Sequence, residues 1–343
     1  MRHRISMLVS LAAAVSAGCG PAKVEQHVSR DVARVGVVFD VGGRGDHSFN
    51  DGAAAGADRA GASHGASVTF AEGGEGARRL EALRKMARDG SDLVVAVGFL
   101  SSHDATLAAR EFPAVHFAVI DYALPSDSLG RAMEPPPNLA GINFREEEGA
   151  YLVGAMAGLS SRSHVVGFVG GMRGALITKF EVGYGAGVRR VCPSCTVLIE
   201  YAGNTPAAFR DPALGRVLAE REYAKGADIV FQAAGETGVG VIEAAKQGSR
   251  QVIGVDVDQA SAAPGHVLTS MIKRIDVAVA DVIERERTGS FRGGMLTYGV
   301  SESGIGYVYD EKNAPLIAVA TRTRVETLRA AIASGFITPP AVR

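Results

Sequence analysis

The chain repeats part of itself, and this internal repeat limits its fold more than any other feature. Five residues recur with the same types and the same spacing: Phe49, Gly52, Ala55, Gly56 and Arg59 in the first copy, and Phe180, Gly183, Ala186, Gly187 and Arg190 in the second. The agreement continues, because Gly90–Val95 matches Gly226–Phe231. Two apolar runs that end in Asp121 and Asp256 also correspond. A duplication of this length predicts two similar lobes that face each other across a cleft.

Within both copies, short apolar strands alternate with amphipathic helices. This pattern is typical of a parallel sheet covered on both faces. We therefore predict an α/β fold of two doubly wound parallel-sheet lobes, the first over residues 34–142 and the second over 143–264. Residues 265–343 contain strand and helix patterns that fit neither lobe alone. We expect them to recross between the lobes, complete both and form a multi-strand hinge.

Composition excludes several classes of protein. Of the 343 residues, 47% are hydrophobic and 21% are charged, a balance typical of globular proteins rather than disordered ones. The formal net charge of -1 argues against binding to nucleic acid, which favours a basic excess. A neutral or mildly polar small molecule fits better.

The first 33 residues resemble a targeting segment followed by a tether. Arg2 and Arg4 precede the apolar run Ile5–Val15, which is too short to span a bilayer, and small residues then lead to Cys19. We predict a lipoprotein signal peptide over residues 1–19, with Cys19 as the lipidated residue, and a polar tether over residues 20–33. Ordinary secretion with an incidental cysteine is the alternative.

The other two cysteines, Cys192 and Cys195, stand three residues apart. No second cysteine pair or paired histidines follow to complete a tetrahedral zinc site. The histidines, His164 among them, have no sequence neighbour at metal-ligand spacing. We therefore predict no metal site, and we expect a structural disulfide between Cys192 and Cys195 in an oxidising compartment.

The glycine-rich loop over residues 40–50 lies where a strand meets a helix, the place where α/β sheets bind ligands. It lacks both the third glycine of a dinucleotide fingerprint and the Lys-Ser/Thr of a phosphate loop. Ser48 in this loop could merely cap the helix that follows.

Two phenylalanines and two aspartates are further candidates for the cleft. Phe49 and Phe231 could approach a planar ring from opposite lobes, although single phenylalanines are more often core residues. Asp121 and Asp256 stand at the ends of equivalent strands, where they could accept hydrogen bonds from a ligand or satisfy the next helix.

The sequence contains no recognisable catalytic set. A nucleophile elbow, a His-Glu-x-x-His motif and clustered metal-binding aspartates are all missing. We predict a binding protein that is not an enzyme and that needs no cofactor.

Several ordered motifs together resemble the basic membrane protein family of bacterial substrate-binding lipoproteins, typified by the purine nucleoside receptors of ABC importers. The resemblance runs from about Arg34 to Pro340. The motifs are Val35–Gly43, Asp46–Asn50, Gly167–Met172, Lys179–Glu181, Lys225–Gln232, Val252–Asp256, Val267–Ser270 and Lys273–Arg274. The resemblance implies a type I periplasmic binding protein fold.

The same resemblance implies a role for each matching residue. Phe49 and Phe231 would stack on the base, and Asp121 would read its polar edge. Asp256 and Lys273 would hold the ribose hydroxyls. The pocket would be shaped and completed by Asp40, Ser48, Asn50 and Gly235. Glu236 departs from the family pattern, which usually has glycine there, and would add a carboxylate near the sugar.

From the residues and the resemblance together we predict a lipid-anchored, extracytoplasmic receptor in the cell envelope. It would capture a nucleoside, foremost a purine nucleoside, and deliver it to an ABC permease and ATPase. The alternatives are a ligand-sensing lipoprotein that signals to a membrane partner and a nucleoside hydrolase.

Overall fold

The computed structural model describes residues 32–341. The predicted signal peptide, Cys19 and most of the predicted tether lie outside these residues. The described strands, in chain order, are β1 (Arg34–Phe39), β2 (Ser67–Glu72), β3 (Leu93–Ala96), β4 (His116–Ile120), β5 (Leu139–Phe144), β6 (Val165–Met172), β7 (Thr196–Gly203), β8 (Ile229–Ala233), β9 (Gln251–Asp256), β10 (Val267–Lys273), β11 (Gly294–Tyr298) and β12 (Ile305–Tyr307).

The described α-helices cover the sheets that these strands form. They are α1 (Phe49–His64), α2 (Ala77–Arg88), α3 (Ser102–Glu111), α4 (Glu146–Ser160), α5 (Ala175–Val191), α6 (Pro212–Ala224), α7 (Thr237–Gln247), α8 (Ile275–Arg287) and α9 (Val319–Ala333). No helix within residues 32–341 combines the length and the apolar composition needed to cross a membrane.

The strands form two six-stranded sheets with the same order. The first sheet runs β11-β5-β4-β3-β1-β2 and is parallel throughout. The second runs β12-β10-β9-β8-β6-β7 and is parallel except for β12, which pairs antiparallel with β10. The prediction of two similar parallel-sheet lobes is confirmed.

Within residues 32–341 the chain passes between the lobes three times. It leaves the first sheet after β5 and enters α4, which packs on α5 of the second lobe. It returns after β10 through α8, which packs on α1 of the first lobe. The third passage connects β11 of the first sheet to β12 of the second. These three crossings form the multi-strand hinge. The domain limits at residues 142 and 264 stay a prediction.

The repeated glycines have a physical cause in this exchange of helices. A Cβ atom on Gly56 in α1 would lie 2.4 Å from the backbone oxygen of Asp276 in α8. A Cβ atom on Gly187 in α5 would lie 2.0 Å from the backbone oxygen of Tyr151 in α4. Only glycine permits these close approaches. The repeated glycines therefore mark equivalent helix contacts: α1 packs against α8, which arrives from the second sheet, and α5 packs against α4, which arrives from the first sheet.

The core follows from the strand sequences. Every residue of β3 and of β8 is buried, as expected of central strands covered on both faces. One apolar cluster covers the outer face of the first sheet under α2 and α3, and a second does the same under α6 and α7. The largest cluster includes residues of both lobes and the α1, α4, α5 and α8 helices. The lobes thus present their strand ends to a shared cleft.

Candidate functional site

A cavity of about 570 Å³, counted with its open mouth, lies between the lobes at the carboxyl ends of the strands. Seven of the nine predicted ligand-binding residues line it: Asp40, Phe49, Asn50, Asp121, Gly235, Asp256 and Lys273. Ser48 is buried beside it. A second cavity of about 670 Å³ adjoins the first and shares four lining residues with it: Phe99, Asp121, Leu176 and Ile177. The structure therefore has a cavity at the predicted position, between the two lobes.

Asp121 and Asp256 enter the cavity from equivalent strand ends. Asp121 directly follows β4 and Asp256 is the last residue of β9. Both adopt a left-handed backbone, with φ of 61° and 66°. Such conformations are uncommon outside glycine and cluster at functional sites. The repeat has preserved both the aspartate and its unusual backbone.

Lys273 joins the lobes through a buried ion pair. It is the last residue of β10 in the second sheet, and its Nζ lies 2.7 Å from Oδ2 of Asp121 in the first lobe. The same ammonium lies 3.0 Å from Oε1 of Glu146, whose Oε2 is 2.9 Å from Nζ of Lys179. Burial opposes the charge on Lys273, but the Asp121 and Glu146 carboxylates outweigh it and raise the pKa of Lys273. Lys273 is therefore charged at neutral pH.

The second interlobe contact joins Asp256 to Ser48. The Ser48 hydroxyl donates to Oδ2 of Asp256 at 2.6 Å, and both side chains are buried. Ser48 precedes α1, but its side chain makes no capping hydrogen bond. The capping alternative is therefore wrong. Burial raises the pKa of Asp256 to about 6, against the opposing effects of the Lys273 ammonium and the Ser48 hydroxyl.

Asp46 caps α1 in place of Ser48. Its carboxylate accepts hydrogen bonds from the backbone N–H groups of Ser48, Asn50 and Asp51 at 2.8–3.1 Å. It also accepts from the Asn50 side-chain amide at 3.1 Å. An acidic residue at a helix N-terminus satisfies free N–H groups and the helix dipole. The loop before α1 is thereby held in the shape that presents Ser48 to the second lobe.

Asp40 and Asn50 shape the floor of the cavity. The Asn50 side-chain oxygen accepts from the Asp40 backbone N–H at 3.1 Å, and its NH₂ group donates to Asp46. The Asn50 amide therefore ties together the loop over residues 40–50. Loss of hydration raises the pKa of Asp40 to about 7. A carboxyl with such a pKa exists in both protonation states at neutral pH and can donate or accept a hydrogen bond.

The structure corrects the prediction for Phe231. This side chain is fully buried and packs between Phe168 and Tyr184, with ring centroids 5.7 and 5.3 Å away. It occupies the middle of β8 on the face that packs under α5, two residues before Ala233, which lines the cavity on the same face. It is therefore not among the side chains that line the cavity.

Three other aromatic residues line the cavity together with Phe49: Phe99, Phe180 and Phe209. Phe180 belongs to the repeated set and corresponds to Phe49, so the repeat itself held the signal for it. Phe99 of the first lobe and Phe209 of the second meet edge to face across the cleft at 6.5 Å. Neither has a sequence pattern that sets it apart from core phenylalanines.

Gly235 lines the cavity with a φ of 58°, as a close approach of backbone to ligand would need. Glu236 stands at the start of α7 and is not among the lining residues. The Glu236 carboxylate is therefore not part of the cavity lining, although the residue directly follows Gly235.

Residues 33–338 match the sequence profile of a protein family described as "ABC transporter substrate-binding protein PnrA-like". The chain belongs to this family. The chain is 31% identical to the CD4+ T-cell-stimulating antigen of Listeria innocua, with 98% of this chain and 97% of the relative covered. It is 30% identical to basic membrane protein A of Borreliella burgdorferi, with 98% and 96% covered.

Among solved structures, an ABC transporter solute-binding protein of Aeropyrum pernix superposes with a TM-score of 0.81 at 31% identity. The comparison covers 91% of this chain and 94% of that one. The predicted family and the periplasmic binding protein fold are confirmed. A substrate-binding protein of an ABC transporter takes a small-molecule ligand and works with a transporter complex. The roles of individual cavity residues stay predictions.

Away from the cleft, Cys192 and Cys195 form the expected disulfide. Cys192 is the residue directly after α5, and Cys195 directly precedes β7. The structure adds a neighbour that the sequence analysis dismissed, since Nδ1 of His164 lies 3.6 Å from Sγ of Cys192. Within residues 32–341, His164, Cys192 and Cys195 form a cluster of three potential metal ligands, whose ligand atoms all lie within 4.8 Å of one another.

Proposed function

We propose that this protein captures a nucleoside, foremost a purine nucleoside, in the interlobe cavity and delivers it for import by an ABC permease and ATPase. The observation that carries the proposal is the pair of aspartates at equivalent strand ends, facing one aromatic cavity from opposite lobes. A nucleoside has a planar base for the aromatic rings and hydroxyl and N–H donors for the carboxylates. The purine preference rests on the family resemblance.

The aromatic part of the proposal assigns the base to Phe49 and Phe180. These residues come from opposite lobes and line the same cavity. Stacking of a base on an aromatic face contributes about 1–3 kcal/mol and is tolerant of base identity. Phe180 takes the role that the sequence analysis gave to Phe231.

The charged part of the proposal assigns the polar edge of the base to Asp121 and the ribose to Asp256 and Lys273. Oδ1 of Asp121 is buried without a hydrogen-bond partner among the described residues, which leaves it free to accept from a base. The cavity lining holds four aspartates, Asp40, Asp46, Asp121 and Asp256, but one lysine. This excess of acid disfavours phosphate, so we expect nucleosides rather than nucleotides.

Titration calorimetry tests the assignment on protein from which any co-purified ligand has been removed. The ligands are guanosine, adenosine, inosine, cytidine, guanine and guanosine 5′-monophosphate. We expect the purine nucleosides to bind and the monophosphate to bind far more weakly. The variant Asp256→Ala should weaken guanosine about ten- to hundredfold more than guanine, because a hydrogen bond to a charged group contributes about 1.5–3 kcal/mol.

Asp121→Ala should instead reduce the discrimination among the bases. Lys312→Met, which removes an exposed cation that is not among the cavity-lining residues, is the matched control and should leave every affinity unchanged. If the wild-type protein binds none of these compounds but binds another solute such as a sugar, the nucleoside assignment fails and the family assignment stands.

The delivery step and the anchor need separate tests. Uptake of labelled nucleoside by cells that express the permease and ATPase should require this protein; intact uptake without it, with a changed signalling output, would favour the sensing alternative. Cys19 lies outside the described residues, and we propose that it carries the lipid. Membrane fractionation of Cys19→Ser should release the protein, and equal retention of the variant would contradict lipidation.

A further inference from the structure

The disulfide turn and His164 meet at the end of the second lobe opposite the ligand cavity. β6 and β7 pair in parallel with Val165 beside Thr196. His164 directly precedes the first strand and Cys195 directly precedes the second, so the strand register sets them side by side. The backbone N–H of Thr196 donates to the His164 carbonyl at 2.8 Å, which holds the two loops together.

Asp228 stabilises the loop that carries His164 by hydrogen bonds to the three residues before it. Its carboxylate accepts from the Ser161 hydroxyl and from the backbone N–H groups of Arg162 and Ser163 at 2.7–2.9 Å. His164 itself has a φ of 59°, an uncommon conformation for a residue with a side chain. The hydrogen bonds to Asp228 therefore fix the loop that holds the imidazole beside the cysteines, and the outer side of the imidazole is exposed to solvent.

We propose that His164, Cys192 and Cys195 form a zinc-class metal site when the disulfide is reduced. Nδ1 of His164 lies 3.6 Å from Sγ of Cys192 and 4.0 Å from Sγ of Cys195. Zinc bonds of about 2.0–2.3 Å in tetrahedral geometry set nitrogen and sulfur ligands about 3.6 Å apart. The sulfurs need only separate to about 3.8 Å, which breaking their bond permits. The exposed side of His164 leaves the fourth position to water.

The two states differ by a balanced reaction. A dithiol reductant supplies two electrons and two protons, the S–S bond breaks, and Cys192 and Cys195 become thiols while the reductant becomes a disulfide. A Zn²⁺ ion then bonds both sulfurs and the neutral His164 nitrogen, and it releases the two thiol protons. Cys192 and Cys195 thus form a disulfide in one redox state and, together with His164, bind the metal ion in the other.

The proposal is tested on the purified full-length chain with Cys19→Ser in every sample, so that no third thiol competes. Reduced and oxidised protein are titrated with Co²⁺, whose thiolate complexes absorb visibly, and then with Zn²⁺ in competition. We expect one ion per reduced chain with cobalt–thiolate bands, and none on the oxidised chain. His164→Ala should weaken binding by at least about tenfold, since even loss of a supporting outer residue has that effect.

His103→Ala replaces an exposed histidine of the first lobe and should bind the ion as the parent does. Thermal unfolding of the reduced variants without metal shows that each is folded before titration. Absence of stoichiometric cobalt on the reduced chain overturns the proposal. So does binding that is equal in the oxidised chain or unchanged in His164→Ala.

Discussion

The ends of β4 and β9 occupy equivalent places in the two lobes, yet their aspartates are neutralised differently. Asp121 pairs with the Lys273 ammonium at 2.7 Å, whereas Asp256 accepts from the neutral Ser48 hydroxyl at 2.6 Å. In both cases the partner comes from the opposite lobe. The duplicated backbone therefore determines where each carboxylate stands, and the facing lobe determines how its charge is balanced.

The largest effect expected from this difference follows removal of the lysine. Lys273→Met leaves Asp121 buried without its cation, which should lower the free energy of unfolding by about 3–5 kcal/mol. Urea unfolding measures it. Lys312→Met breaks an exposed pair with Asp258 and should change stability by about 1 kcal/mol or less. Equal losses in the two variants would mean that Lys273 does not balance a buried charge.

The next effect concerns Asp256, which has no cation of its own. Its pKa in the folded protein, about 6, lies above the ordinary value of 3.8, so the folded state binds the proton more readily than the unfolded chain. The stabilisation from this proton is full below pH 4 and is lost as the pH rises through 6. Its size is about 3 kcal/mol.

Unfolding free energies of wild type and Asp256→Asn from pH 4 to 7 isolate this contribution. Asp40, Asp46 and the Asp121–Lys273 pair also titrate or respond nearby, and they remain in both proteins. We expect the wild-type curve to fall more steeply between pH 4 and 6 than the variant curve. Parallel curves would show that the pKa of Asp256 does not differ between the folded and the unfolded protein. Asp258→Asn, at a surface aspartate of the same lobe, should follow wild type.

The smallest effect distinguishes the aromatic residues of the two lobes. Phe49→Leu and Phe180→Leu remove a π-face but keep an apolar side chain, and each should weaken nucleoside binding by about 1–3 kcal/mol for all bases. Phe231→Leu is the control, because that ring lies in the core and should change stability without changing affinity. A loss of affinity confined to Phe231→Leu would restore the original assignment. Calorimetry supplies the affinities, and thermal unfolding confirms that each variant is folded.

The two lobes could be predicted from the sequence because a duplication repeats its periodicity and its strand-end aspartates. Phe231 could not be assigned correctly, since it lies two residues before the cavity-lining Ala233 on the same buried strand, and the sequence does not show how far along that strand the cavity begins. Glu146 was missed because an acidic residue in a first helical turn has an ordinary explanation in the helix dipole. His164 was missed because its cysteine neighbours lie about thirty residues away along the chain and are joined to it only by strand pairing.

The close contacts at Gly56 and Gly187 have a consequence for the gene. Each lobe keeps the helix that it received from the other lobe's sheet, so neither lobe is encoded by one uninterrupted stretch of codons. A fragment that ends after β9 would lack α8 and β11, and its α1 glycine face would meet water. A single cut between β5 and α4 would leave the first half without α8 and β11, the helix and the edge strand of its own lobe, whereas the second half would carry both as an inserted segment.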